Sequence, residues 1–324
     1  MKSTNRSVKL LGLALVLALV AAACGGDDTT SGGGVAGEPE VSDLTVGVIP
    51  IFDVVPLSGA IAGGTFADEG LAVETENAAG GAAIVPGVVA GDFEFGFSNV
   101  YSVMQAVERG LDLRIVAPGS FVGGDADEDF TGIMSIEFDS LAELEGTTIA
   151  VNTLGNLVEI NVRETMDRAG LDPDTVEFIE LAFPDMVGAL EAGQVDAIAP
   201  VEPFVGAALG AGANRLATPF STAQPNMMVA VWFTTGEFAD SNPNTVAAFA
   251  ETLNASNERA QSDRSYANDL VVEFTATPSL EAAEATVLPI WNTELDLESL
   301  ETSGELGVKW GALDSPPDID ALIG

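Results

Sequence analysis

From residue 44 onward, short segments with the hydrophobic pattern of a strand are followed by segments with the hydrophobic pattern of a helix. The two kinds of segment recur in a regular order along the chain. Residues 44–49 (LTVGVI) form a short apolar, β-branched run of the kind that makes a buried strand. The pattern predicts strands at 44–49, 71–75, 93–97 and 113–117, and helices at 56–64, 82–90 and 100–109. This order predicts a mainly parallel sheet with helices on its faces. Pro86 is expected in the first turn of its helix.

A second block of the same kind begins near residue 130. Its clearest helix covers 156–169, where Leu157, Ile160 and Met166 lie near one face. The other predicted strands are 130–136, 147–151, 176–180, 195–199 and 227–234, and the shorter helices are 140–144 and 185–192. The helices predicted after Pro243 are 245–261, 266–274, 280–288 and a weaker stretch from 297. The sequence therefore predicts two α/β units followed by a helical tail, with Trp232 in a core.

The first 23 residues have the layout of a secretory signal. Lys2, Arg6 and Lys9 precede an apolar run at 10–23, which is shorter than the roughly 20 residues of a membrane span. The run ends in three alanines followed by Cys24, which resembles a bacterial lipobox. We therefore expect a signal peptide at 1–23, a lipidated Cys24 that anchors the chain outside the cell membrane, and a flexible Gly-rich linker over 24–42. An ordinary signal peptide with an incidental cysteine is the alternative.

The composition excludes several classes of function. The 324 residues carry 50 acidic and 11 basic side chains, and a surface with a formal charge of −39 repels nucleic-acid phosphates and anionic lipids. We expect no nucleic-acid partner and no membrane contact beyond the lipid anchor. The chain has no His and one Cys, which excludes a Ser-His-Asp triad, a Cys-His pair and a Cys/His zinc site. No cofactor or metal is predicted, although a site made of carboxylates alone stays open.

Several phrases occur in a characteristic order along the chain. They are VGVIP (46–50), FADEGLAVE (66–74), VAGDFEFG (89–96), LAELEGTTIAV (141–151) and GQVDAI (193–198). Together they resemble the substrate-binding proteins of nitrate/sulfonate/taurine-type ABC importers, with kinship to the binders of thiamine pyrimidine precursors. The resemblance implies a two-lobed α/β fold of the type II periplasmic-binding-protein class with a ligand cleft between the lobes. Lobe 1 would comprise 43–120 plus 222–324, and lobe 2 would comprise 121–221.

The same resemblance implies a function. The chain would be a monomeric, extracytoplasmic binding protein that captures a small solute and delivers it to an ABC permease and its ATPase, without catalysing a reaction. A surface sensor that feeds no importer is one alternative, and a carboxylate-based hydrolase on the same fold is another. Enzymes of this fold that need a Cys nucleophile or a His are excluded, because Cys24 lies in the lipobox and His is absent.

Loops that follow the strands supply the candidate ligand-binding residues, because ligands of open parallel sheets bind beyond the carboxyl ends of the strands. Asp53 would receive a ligand amine or cap a turn, and Ser98 and Thr153 would bind ligand or only cap helices. Phe183 would face the cleft or the core, and Glu202 would contact ligand or lie at a hinge. The candidate set is Phe52, Asp53, Ser98, Asn99, Asn152, Thr153, Phe183 and Glu202.

Few arginines are well placed for an anionic ligand. Arg163 and Arg168 lie within a predicted helix and Arg114 lies within a predicted strand. An anion would therefore depend on helix N-termini and hydroxyl groups. Asp53 and Glu202 would instead favour an amine or a heterocycle with N–H donors, such as a pyrimidine. A sulfonate, nitrate or taurine-like solute and a pyrimidine-like solute both stay open.

Overall fold

Two five-stranded sheets organise the part of the chain that the computed structural model describes, residues 37–324. The signal peptide, the lipidation of Cys24 and most of the linker fall on residues outside this range. None of the helices over 37–324 is both long and apolar enough to span a membrane.

The first sheet has the order β2-β1-β3-β10-β4. Its strands are β1 (Asp43–Val48), β2 (Ala72–Asn77), β3 (Phe95–Asn99), β4 (Leu113–Phe121) and β10 (Met228–Thr235). Strands β1, β2 and β3 pair in parallel, while β10 runs antiparallel to both β3 and β4. The sheet is therefore mainly parallel, as the alternation of strands and helices predicted.

The second sheet repeats this plan in the order β7-β6-β8-β5-β9. Its strands are β5 (Ile133–Ser135), β6 (Thr148–Val151), β7 (Glu177–Glu180), β8 (Ala197–Ile198) and β9 (Asn214–Ala217). Strands β6, β7 and β8 are parallel, and β5 runs antiparallel to both of its neighbours. In each sheet the antiparallel strand follows a crossing of the chain from the other sheet. The two sheets are the centres of two lobes.

Fourteen α-helices cover the sheets within residues 37–324. Those of the first half are α1 (Val55–Ala62), α2 (Thr65–Asp68), α3 (Gly81–Ala90), α4 (Val100–Glu108), α5 (Leu157–Arg168), α6 (Phe183–Glu191) and α7 (Phe204–Gly210). The others are α8 (Pro219–Ala223), α9 (Gly236–Ser241), α10 (Pro243–Ser262), α11 (Arg264–Phe274), α12 (Leu280–Ala285), α13 (Leu297–Lys309) and α14 (Ile319–Ile323). Short 3₁₀ helices lie at Phe52–Val54, Ala126–Glu128, Leu141–Leu144 and Pro173–Thr175.

Helix α10 packs on the first sheet through an aromatic cluster. The ring of Phe249 stacks on Phe95 of β3 with centroids 4.0 Å apart, and it also contacts Phe66 and Trp232. All four side chains are at most 2% exposed. The prediction that Trp232 is a core residue is confirmed, and the helical tail is part of the first lobe's core.

The two crossing segments, 122–132 and 218–227, are joined by a buried carboxylate. Asp129 in the first segment accepts hydrogen bonds from the backbone N–H and hydroxyl of Thr131, and from the backbone N–H of Ser221 in the second segment at 2.7 Å. Arg215 on β9 donates to the carbonyls of Asp129 and Thr131. Any relative motion of the lobes has to bend the chain at these joined segments.

Two local predictions are wrong. Pro86 is the sixth residue of α3 rather than a residue of its first turn, because the helix begins at Gly81. A Cβ at Gly81 would overlap the hydroxyl of Ser98, so the absence of a side chain allows the helix to start there, against β3. The helix predicted at 280–288 ends at Ala285, where the Arg264 guanidinium binds the carbonyls of Ala283 and Thr286.

Candidate functional site

A pocket lies between the two sheets, at the carboxyl ends of β1, β3 and β6. The free space between its walls is about 30 Å³, which is room for about one water molecule, so a larger solute enters only as the lobes move apart. The apolar lining residues are Ile49, Ile51, Phe97, Phe130, Leu157, Val158, Phe183, Val201, Phe220, Val229 and Ala230. The polar lining residues are Asp53, Asn99 and Asn152. Both lobes and both crossing segments therefore contribute walls to one largely apolar space.

Asp53 carries the only carboxyl group among the described lining residues. It lies in the 3₁₀ helix that follows β1 and is 2% exposed. Its Oδ1 accepts a hydrogen bond from the hydroxyl of Ser120 on β4, while its Oδ2 has no partner among the described residues. Burial raises the pKa of Asp53 to about 6, and the Ser120 hydrogen bond opposes that rise. The carboxyl caps neither the 3₁₀ helix nor α1, so the capping interpretation is wrong.

The backbone of Asp53 is held from the C-terminal part of the chain. Trp291 donates its Nε1–H to the carbonyl of Asp53 at 3.0 Å, and its side chain is 2% exposed. Phe52 packs in the same apolar cluster as Trp291, so Phe52 lies behind the pocket and does not line it. After β1, the side chain of Asp53 thus faces the pocket, while that of Phe52 faces the apolar cluster around Trp291.

The same alternation occurs at the end of β3. Asn99 lines the pocket and caps α4, because its Oδ1 accepts a hydrogen bond from the Ser102 N–H at 3.0 Å. Ser98 is fully buried against Gly81 and donates its hydroxyl to the Asn99 carbonyl. The expectation that Ser98 caps this helix is therefore wrong, and Ser98 does not line the pocket.

In the second lobe, Asn152 lines the pocket and Thr153 does not. Thr153 faces Gly80 of the first lobe, where a Cβ would stand 3.2 Å from the Thr153 hydroxyl. The cap of α5 is Asn156, whose Oδ1 accepts from the N–H of Leu157. The expected cap at Thr153 is therefore wrong. Phe183 is 3% exposed, lines the pocket and stacks on Phe204 of α7.

Glu202 lies beside the first crossing segment rather than in the pocket lining. Its backbone N–H donates to the Phe130 carbonyl at 3.0 Å, and its own carbonyl accepts from the N–H of Phe52 at 3.4 Å. Its carboxylate accepts from the Gly206 N–H at 3.0 Å. Burial raises the pKa of Glu202 to about 7, and the charge of Arg215 opposes that rise.

Glu202→Gln is expected to stabilise the fold at high pH only. A carboxyl whose pKa is higher in the folded state than in the unfolded state loses folding free energy as pH rises between the two values. The neutral amide avoids this loss, so the free energy of unfolding of the variant should exceed that of wild type by about 3 kcal/mol at pH 8 and by nothing near pH 4. Urea unfolding at both pH values measures this, with exposed Glu191→Gln as the control. If Glu202→Gln changed the free energy of unfolding equally at the two pH values, the raised pKa of Glu202 in the folded state would be contradicted.

Polar contacts join the lobes at the rim of the pocket. The Nδ2 group of Asn156 donates to Ser102 and Gln105 of α4 at 3.2 and 3.1 Å. At the end of α13, Lys309 binds the carboxylate of Glu164 on α5 at 2.6 Å, and Trp310 donates to the same carboxylate. Since these partners belong to different lobes, the contacts stabilise the arrangement in which the pocket is enclosed.

Ten apolar lining residues were not among the predicted site residues: Ile49, Ile51, Phe97, Phe130, Leu157, Val158, Val201, Phe220, Val229 and Ala230. Phe130 and Phe220 come from the two crossing segments, 90 positions apart in sequence, and the sequence contains no local signal for their meeting. Over residues 37–324, no group of three or more carboxyl or thiol side chains converges as a metal site.

One protein-family model matches most of the chain. The model of the NMT1-like family matches residues 37–273. A putative ABC transporter periplasmic binding protein of Brachyspira hyodysenteriae is 24% identical over 295 residues, which is 85% of this chain and 83% of that protein.

Solved structures show the same fold. The ligand-binding component of an ABC-type import system from Staphylococcus aureus, with zinc bound, has a TM-score of 0.76 at 16% identity over 88% of this chain and 97% of that chain. The alkanesulfonate-binding protein SsuA of Xanthomonas axonopodis pv. citri, bound to MOPS, has a TM-score of 0.73 at 17% identity over 87% and 98%. The two-lobed α/β fold predicted from the sequence is confirmed.

Proposed function

Because the chain belongs to the NMT1-like family, we propose that it is the extracytoplasmic solute-binding subunit of an ABC importer and acts as a monomer. The observation that carries this proposal is the enclosed pocket, whose walls come from both lobes and both crossing segments. A site of this form releases its ligand only when the lobes separate. The relatives support the same role, since the Brachyspira protein is named as a periplasmic binding protein and the Xanthomonas neighbour binds alkanesulfonate.

Closure around the solute would be the signal to the importer. A ligand that contacts Asp53 and Asn99 in one lobe and Asn152 in the other binds the closed form better than the open one, so it shifts the population toward closure. The joined crossing segments at Asp129 would serve as the hinge, and the rim contacts of Glu164 and Asn156 would limit how far the lobes separate. A permease and its ATPase would then recognise the closed form.

Uptake in cells tests this function. Deletion of the gene should abolish accumulation of one small solute, and deletion of the cognate permease should give the same loss. The solute should be released from the purified full chain chemically unchanged, as measured by native mass spectrometry followed by denaturation. Loss of a cellular response without loss of uptake would favour a surface sensor, and a changed solute mass would favour an enzyme.

The lipid anchor is a separate part of the proposal. Cys24 would carry the lipid, and the acidic chain would contact the membrane only through it, since one anchor with two or more acyl chains holds a protein stably. Cys24→Ser should move the chain from the membrane fraction to the soluble fraction and abolish its labelling by a fatty-acid probe. As a control, Ser31→Ala in the linker should change neither the membrane localisation of the chain nor its labelling by the probe. A Cys24→Ser chain that stays in the membrane fraction would contradict lipidation.

A further inference from the structure

We propose that the solute is a planar ring bearing a protonated amine or amidine, with Oδ2 of Asp53 as its acceptor, and that sulfonates and nitrate are excluded. This inference rests on the proposed function and identifies the class of ligand that the pocket takes. It is carried by the pocket's one carboxyl group, by the absence of a basic partner among the described lining residues, and by the aromatic walls.

The carboxyl group of Asp53 can accept one more hydrogen bond. Ser120 already occupies Oδ1, so the hydroxyl fixes the orientation of the carboxyl and leaves Oδ2 unpartnered. Asp53 is 2% exposed and lines the pocket, so water reaches Oδ2 poorly. A buried acceptor without a partner is costly, and an N–H donor from a ligand removes that cost.

The charges around the pocket oppose an anion. Among the described lining residues, none has a basic side chain. Arg215, a half-buried arginine near the crossing segments, is not part of the lining and donates to the carbonyls of Asp129 and Thr131. An anionic ligand would therefore lie beside Asp53 without a positive group to balance its charge. A cationic ligand would pair with the Asp53 carboxylate in a medium of low dielectric constant.

The shape and chemistry of the remaining walls suit a flat ring. Phe97, Phe130, Phe183 and Phe220 bring four aromatic rings to the pocket. Aromatic faces attract cations and stack on planar groups. Asn152 of the second lobe adds an amide group to the lining, and this amide would bind the other edge of the ring.

Matched pairs of small ring compounds test the inference. Isothermal titration of the full chain with benzylamine and benzamidine is expected to give binding at least tenfold tighter than with benzenesulfonate and benzoate. Asp53→Asn should weaken binding of both cations by tenfold or more. Asp269→Asn, which makes the same charge change at an exposed position of α11, should leave it unchanged. Ser120→Ala keeps the carboxylate but removes the hydrogen bond that orients it, so it should retain the preference for cations and weaken their binding less than Asp53→Asn. Urea unfolding of both variants checks that each is folded.

The pH dependence of binding gives an independent readout. The carboxyl of Asp53 forms no ion pair with a described residue, and the titratable group adjoining its helix is Glu202, with Arg215 beside it. Because the pKa of Asp53 is about 6, roughly a tenth of it is ionised at pH 5 and nine tenths at pH 7. Affinity for benzylamine should rise about tenfold over this range. Glu202→Gln should keep this rise and Asp53→Asn should abolish it.

The outcomes separate this inference from the proposed function. Equal or tighter binding of the two anions overturns the inference and leaves the solute-binding function intact. Failure of both cations to bind also overturns it. If the full chain in that case also retains no solute from growth medium, the solute-binding function is overturned as well.

Discussion

Phe249→Ala is expected to lower the free energy of unfolding by about 3–5 kcal/mol. The Phe249 side chain is fully buried, and it stacks on Phe95 with nearly parallel rings 4.0 Å apart. Its ring also contacts Phe66 and Trp232, so its removal leaves a cavity where α10 meets the first sheet. Urea unfolding followed by tryptophan fluorescence measures the loss.

The matched control is Phe274→Ala at the end of α11, where the side chain is half-buried. Phe274→Ala should lower the free energy of unfolding by less than Phe249→Ala does. Removing a partly exposed ring loses less transfer free energy and leaves no enclosed cavity. If Phe249→Ala cost less than about 1 kcal/mol, the packing of the helical tail on the first sheet would be contradicted.

Ala230→Phe is expected to abolish solute binding, with a loss of more than about a hundredfold in affinity, equal to about 2.7 kcal/mol. Ala230 lines the pocket on β10, opposite Asn99 on one neighbouring strand and Ser120 on the other. A phenyl ring at this position would fill space that the solute needs. Titration with whichever solute the wild-type chain retains measures the loss.

Two further variants separate blocking of the pocket from damage to the fold. Ala230→Ser adds one atom and should bind within a few-fold of wild type. Ala72→Phe adds the same ring at an exposed position of β2 in the same sheet and should bind normally. Ala230→Phe itself should lose about 1–3 kcal/mol of stability through overpacking and remain folded. Normal binding by folded Ala230→Phe would contradict the assignment of the site.

Much of the fold could be predicted because the long elements have a clear period. Helix α5 was predicted within one residue at each end, and the strands of the first sheet were located from their apolar runs. Elements that the sequence missed are short and take their form from packing: α2, α7, α8, α9, α14 and β9. The interior position of Pro86 could not be predicted, since it depends on the approach of Gly81 to Ser98.

The candidate site could be predicted as a set of loops but not as a set of side chains. At three strand ends, one of two adjacent candidates lines the pocket: Asp53 but not Phe52, Asn99 but not Ser98, and Asn152 but not Thr153. At the end of β3, neighbouring residues of an extended chain point to opposite faces, so a register uncertain by one residue exchanges Ser98 and Asn99. Phe52 and Asp53 lie in a 3₁₀ helix, where packing beside Trp291 and the hydrogen bond from Ser120 place their side chains. Phe130 and Phe220 are contributed by the crossing segments, whose meeting depends on the buried Asp129 and its bond to Ser221.

A crystal structure of the full chain, purified without denaturation and carrying whatever solute it retains, would show where the solute binds. We expect electron density for one unmodified small molecule between the two sheets, within hydrogen-bonding distance of Asp53 in one lobe and Asn152 in the other. A retained solute bound elsewhere, with only protein side chains in the pocket, would contradict the assignment of this pocket as the solute-binding site.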